Sequence, residues 1–153
     1  MNVITPDVKD NFTVFLAGTI DNGEGKNWQQ DTIETLSNFD LPYLTIFNPR
    51  RDSWAANASE EEVLKQIDWE QEHLEKADLI VMCILDESKS PISLMELGQW
   101  ADSGKLVVFC TGKFWRHTNV KWMCDNYNIE LHETNDVDSI VDYILHGYST
   151  RNL

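Results

Sequence analysis

Leu79-Ile80-Val81-Met82-Cys83-Ile84-Leu85 is an unbroken apolar run that stops at Asp86. A continuous run of this kind is what a strand shows when helices cover both of its faces, so it reads as the central strand of a parallel sheet. Moving outward, Phe12 to Ala17 and Tyr43 to Phe47 read as earlier strands, the second closed by Asn48 and Pro49. Leu106 to Cys110 and Ile129 to His132 read as later ones. Between them lie amphipathic stretches. One runs from about Lys26 to Ser37, with Ile33 and Leu36 inward, and one from a capping-box pattern at Ser59 and Glu62 to near Ala77. Another opens on Ser90 and Pro91 and runs to about Ser103, where Gly104 ends it. A short helix is expected in the segment with Trp115, Trp122 and Met123, and a closing helix from Val137 to Leu145.

This alternation predicts an α/β protein, a flavodoxin-like doubly wound sheet of five parallel strands in the order 2-1-3-4-5 with helices on both faces. The order has a consequence for function. Ligands bind beyond the carboxyl ends of the strands where the winding reverses, here between the first and third strands.

Composition narrows the classes. At 153 residues the chain suits one domain spanning 1–153, and its 42% hydrophobic and 25% charged content is that of a globular protein. A net charge of −14 repels polyanions and argues against a nucleic-acid polymer as partner. No apolar run approaches a membrane span, and Met1 to Asn11 lacks the basic start and apolar core of a secretory signal, so a cytoplasmic, membrane-free protein is expected. Cys83, Cys110 and Cys124 form no C-x-x-C pair and read as reduced core thiols. His73, His117, His132 and His146 lack metal-ligand spacing, so neither a metal nor a cofactor is expected.

Two carboxylates stand out. Ile67, Glu70, Leu74 and Ala77 recur at helical spacing, which puts Glu70 on an apolar stripe, where a charge must be paired, hydrated in a cleft or protonated. Spacing alone leaves open a structural ion pair or a reacting group. Glu96 lies one turn inside its helix, just past the central strand, sharing a face with Ile92 and Trp100. It reads either as an acid favoured by the helix dipole or as a group at the cleft. The loop from Gly18 through Thr19, Ile20, Asp21, Asn22, Gly23 and Gly25 follows a strand, as phosphate cradles do, but matches neither the dinucleotide fingerprint nor the P-loop. Arg50 and Arg51 are the only adjacent arginines, suited to an anion, to a catalytic carboxylate or to solubility. Trp28, Trp54, Trp69 and Trp100 lie near strand ends, where most should pack and one or two could stack on a planar base.

The same residues resemble the nucleoside 2-deoxyribosyltransferase superfamily, in particular its small phage and bacterial branch, from about Phe12 to Leu145. The resemblance rests on Phe15-Leu16-Ala17-Gly18-Thr19-Ile20 with Trp28, on Asn48-Pro49-Arg50-Arg51, on Trp69-Glu70 and on Ala77-Asp78. Its most specific part is Ser93-Leu94-Met95-Glu96-Leu97-Gly98. It implies Glu96 as nucleophile and Glu70 as an acid that contacts the substrate or assists the leaving base. Gly18, Thr19, Ile20, Asn22, Trp28, Asn48, Arg50, Arg51, Trp69, Asp86, Ser90 and Met95 are the expected substrate-binding residues. Well-studied members carry an aspartate where Glu70 stands and an acid where Ser90 stands. Deoxynucleotide-hydrolysing relatives place an arginine where this chain has Asp21 and Asn22, which disfavours a phosphate unless Lys26, Arg50 or Arg51 substitutes.

The activity implied is transfer of deoxyribose between bases through a covalent sugar ester on Glu96, with a deoxynucleoside or deoxynucleotide and a free nucleobase as small-molecule partners. Two alternatives stand beside it: an N-glycoside hydrolase of deoxynucleoside 5′-monophosphates, and a nucleotide-binding or sensing module without turnover. A homo-oligomer is also implied, since sites in the family are often completed by a neighbouring subunit.

Overall fold

The computed structural model describes residues 11–20, 26–50 and 58–151. Within them the chain runs β1 (Phe12–Gly18), α1 (Trp28–Leu36), β2 (Leu44–Phe47), α2 (Glu60–Lys76), β3 (Leu79–Ile84) and α3 (Pro91–Trp100). It continues with β4 (Leu106–Cys110), α4 (His117–Tyr127), β5 (Glu130–His132) and α5 (Val137–Thr150). All strand pairings are parallel and the order is β2-β1-β3-β4-β5, as the βα alternation predicts.

The period-two alternation of strand side chains divides the interior into two cores. Phe15 and Ala17 of β1, Ile80, Met82 and Ile84 of β3, and Val108 and Cys110 of β4 meet Leu74 of α2, Leu97 of α3 and Val120 of α4. The alternate residues Val14, Leu16, Val81, Cys83, Val107 and Phe109 meet Trp28 and Leu36 of α1 and Ile140, Val141 and Ile144 of α5. Each fully buried Val, Leu, Ile, Phe or Met contributes roughly 1.5–3 kcal/mol, so the two-sided burial of β1, β3 and β4 dominates the stability of the sheet. The edge strand β2 is only half-buried.

Helix ends follow local chemistry. The Asn27 side chain accepts from the Gln30 N–H and Ser59 from the Glu62 N–H, at 3.1 and 3.2 Å. Glu60, Glu61 and Glu62 sit in the first turn of α2, with His73 and Lys76 in its last, matching the helix dipole. Helix α3 stops at Trp100, three residues before the expected end, and the turn beyond it places Gly104 at φ +74°. Helix α5 runs to Thr150, longer than expected, because Ile144 remains core and Leu145 and Tyr148 pack against the same cluster. No helix of the described residues is long and apolar enough to cross a membrane.

On two helices one residue expected inward lies outward. On α2 Ile67 is 44% exposed while Gln66 is buried, so the inward row is Gln66, Glu70 and Leu74. On α3 Ile92 is exposed and the buried residues are Ser93, Glu96 and Leu97. In both helices a polar side chain takes the inward position beside it, so apolarity alone misplaces that one member of the stripe.

Candidate active site

The carboxyl rim between β1 and β3 begins at Gly18. Its φ is +119°, and a Cβ there would lie 2.1 Å from the Cys83 carbonyl oxygen and 2.7 Å from the Cys83 nitrogen. Only glycine permits that approach. The next residue then crosses to β3, the Thr19 N–H donating to the Cys83 carbonyl at 3.0 Å. Its hydroxyl accepts from the Leu85 N–H at 2.9 Å and lies 2.7 Å from Ser90 Oγ and 3.1 Å from Ser88 Oγ. Ser88 and Ser90 are themselves 2.8 Å apart, and Ser88 donates to the Leu85 carbonyl at 2.7 Å. All three hydroxyl residues are buried.

Two buried side chains of α1 close the back of this turn. Trp28 Nε1 and Gln29 Nε2 donate to the Thr19 carbonyl at 3.1 and 3.3 Å. Gln29 Oε1 in turn accepts from Arg50 Nη1 at 3.4 Å, and the same nitrogen donates to the Lys26 carbonyl at 2.9 Å. The Asn48 side chain accepts from the Arg50 N–H at 3.1 Å, an Asx turn that folds the segment after β2. The ends of β1 and β2 are thereby tied through Gln29.

Helix α3 starts at Ser90, whose carbonyl accepts the first helical bond from the Leu94 N–H at 3.0 Å. Pro91 stands at the first helical position, as expected. Ser90 occupies the N-cap position without capping: its φ of 48° is left-handed, and its side chain makes no cap bond. Six residues on, Glu96 is 8% exposed, and its carboxyl is pushed up to about 8, by burial first and by the negative charge of Glu70 second. Glu70, on the inward row of α2, accepts from Gln66 Nε2 at 3.0 Å, and the same amide donates to the Pro49 carbonyl at 3.1 Å. The reciprocal amide bonds of Gln71 and Gln99, 2.5 and 3.3 Å, hold α2 against α3.

The remaining expected residues are distributed as follows. Trp69 is half-buried and stacks on the His73 ring at 4.2 Å, while His73 Nδ1–H donates to the Trp69 carbonyl at 2.7 Å. Ile20 is half-buried beside Thr19. Met95, next to Glu96 on α3, is 69% exposed. Asp86 Oδ1 accepts from Thr111 Oγ1 and from Asn135 Nδ2, which joins the loops after β3, β4 and β5. Asn22 and Arg51 lie outside the described residues, as do Gly23, Gly25 and Trp54. Gln66, Gln29 and Ser88 were not foreseen. For Gln66 a signal existed, because it stands four residues before Glu70 and shares its face.

Two cavities lined by described residues include neither Glu70 nor Glu96 in their walls. An apolar one of about 390 Å³ sits between α3 and α4 around Leu94, Leu97 and Met123, and a polar one of about 430 Å³ between α1 and the start of α5. The rim therefore presents two carboxyls coupled by charge, Glu96 and Glu70, beside the hydroxyl cluster. A buried carboxyl that holds its proton beside a second, amide-bonded carboxyl can act as an acid, or as a nucleophile once ionised. Among the described residues no group of three His, Cys, Asp or Glu side chains is arranged to hold a metal ion.

A family model described as "Nucleoside 2-deoxyribosyltransferase like" matches residues 11–114, a span that includes both carboxylates. Among solved structures, the chain is similar to the 2-deoxyribosyltransferase of the psychrotolerant bacterium Bacillus psychrosaccharolyticus. The two are 20% identical with a TM-score of 0.59, over 86% of this chain and 91% of that one. It is also similar to a conserved protein from Enterococcus faecalis V583, 12% identical with a TM-score of 0.53, over 92% and 99%. Likeness at these identities shows the fold. No curated protein matches in sequence.

Proposed function

The chain belongs to the nucleoside 2-deoxyribosyltransferase-like family, and on that premise we propose that it cleaves the N-glycosidic bond of a 2′-deoxynucleoside and passes the sugar to another base. The observation that carries this reading is Glu96, buried on the helix after the central strand and within the field of Glu70.

Ionised Glu96 attacks the anomeric carbon, and an ester bond forms as the carbon–nitrogen bond breaks. The electron pair leaves with the base, which takes up a proton. Glu70 is assigned to assist that departure by delivering the proton, and it takes up the proton that the incoming base loses. A second base then attacks the same carbon and frees Glu96, so two inversions retain configuration. Because Glu96 is pushed up to about 8, its proton must leave before attack, and the free protein becomes competent as pH rises towards that value.

Incubation with a deoxynucleoside and a different free base, followed by chromatography, tests the proposal. Exchange of bases supports transfer. Release of free base without exchange, or turnover restricted to 5′-monophosphates, assigns hydrolysis, and ligand binding without turnover assigns a sensor.

The reading extends to a homo-oligomer in the cytoplasm. Exposed Ile92, Met95, Trp115 and Trp122 on and beside α3 and α4 support self-association. The buried, unpaired thiols of Cys83, Cys110 and Cys124 suit a reducing compartment. A monomer at assay concentration contradicts the first, and secretion of the protein the second.

A further inference from the structure

Ser90 stands where a polar residue could face a ligand, yet the structure commits its hydroxyl elsewhere. It is 3% exposed, and its Oγ lies 2.7 Å from Thr19 and 2.8 Å from Ser88. An N-cap serine ordinarily accepts from an N–H of its own helix. Here the left-handed φ of 48° turns the side chain away from α3 and into the joint between β1 and β3.

The proton inventory of this joint is tight. Ser88 spends its proton on the Leu85 carbonyl, and Thr19 uses a lone pair on the Leu85 N–H. Two hydroxyl protons, those of Thr19 and Ser90, then remain for the three mutual contacts. The cluster has no proton to spare for a ligand, and each hydroxyl depends on the other two. Its members come from three places: the end of β1, the loop after β3 and the start of α3. Ser90 also offers the carbonyl from which α3 begins.

We infer that Thr19, Ser88 and Ser90 form a positioning unit that fixes the first turn of α3 against β1, and through it the place of Glu96, and that Ser90 is not a base-reading residue. The inference rests on Glu96 as the nucleophile, but the fixing of α3 can be tested without turnover. Its chemistry implies that base selection falls to other groups on the rim.

The test compares Thr19→Val, which keeps the shape and removes the hydroxyl, with Thr19→Ser, which restores it. A second route, Ser90→Gly, suits a φ of 48° and removes the hydroxyl together with its Cβ, so it serves if Thr19→Val fails to fold. Two readouts are taken: amide hydrogen exchange over residues 91–96, and kcat and KM with two deoxynucleosides. Expected are faster exchange across that turn and a fall in kcat of ~10- to 100-fold at nearly constant KM, for Thr19→Val and Ser90→Gly alike. Thr19→Ser should recover most of both. A rise in KM or a changed base preference with kcat intact would make these hydroxyls ligand contacts and overturn the inference. Unaltered exchange would also overturn it. If the unaltered protein turns over no nucleoside, the proposed function falls, while exchange in the same variants still decides whether the unit holds α3.

Discussion

The two rims of the sheet set their carboxyls among different neighbours. At the amino rim Asp78 accepts from the Thr13 N–H at 2.9 Å and its hydroxyl at 3.0 Å, and the Asp78 N–H returns a bond to the Thr13 carbonyl at 2.9 Å. Beside it Lys105 Nζ donates to the carbonyls of Leu74, Glu75 and Ala77 at 2.6, 2.9 and 2.9 Å, closing the end of α2. Its side chain also lies over the Trp100 ring, 4.8 Å away. Each charge there meets a group of opposite polarity. At the carboxyl rim the most buried carboxyl, Glu96, meets the negative charge of Glu70. The first arrangement holds strands and helices together. The second raises the proton affinity of Glu96, the state from which the proposed nucleophile has to be freed.

The sharpest way to break this contrast is Glu96→Ala, expected to lower kcat by ~10³-fold or more while leaving the fold intact. A variant that keeps near-normal rates removes the mechanism. Stability should move the other way in Glu96→Gln. The native carboxyl binds its proton more tightly than the unfolded one, so its contribution is whole below about pH 4.5 and is lost as pH climbs towards 8. Thermal melts across that window should therefore fall more steeply for the unaltered protein than for Glu96→Gln.

Next in size is Gly18→Ala, whose Cβ meets β3 backbone at 2.1 Å. The expected loss is at the upper end of the ~1–3 kcal/mol typical of overpacking, measurable by urea denaturation. A smaller effect belongs to the amino rim: Lys105→Met should cost ~2 kcal/mol by removing charged donors from three carbonyls, yet leave kcat unchanged. A loss of rate without loss of stability there would erase the distinction between rims. The smallest is a shift in pH and not in rate: Glu70→Gln, which also loses the assistance to the departing base, is read from the position of the limb in kcat/KM. Removing a like charge lowers the Glu96 pKa, so the limb near pH 8 should move to lower pH. A limb that stays in place would show burial acting alone.

Much of this was legible in the residues. The run from Leu79 to Leu85, the βα alternation and Pro91 led to the sheet order without reference to any contact. Glu70 and Glu96 drew attention because acids at inward helical spacing are anomalous. The misread helix faces share one cause: successive helix positions differ by only about 100°, and a buried glutamine or serine looks polar in sequence. Gln66 therefore hid behind Ile67, and Ser93 behind Ile92. Gln29, fully buried, gave no sign that it would bridge Thr19 and Arg50.

What the sequence determined by itself is the set of elements and the strands that face two cores, because periodicity and turn residues act over a few neighbours. What the tertiary structure decided is the partner of each polar group. Thr13 meets Asp78 across 65 positions and Thr19 meets Ser88 across 69. A side chain's burial, and hence the state of its proton, depends on such distant neighbours, which only the folded chain brings within bonding range.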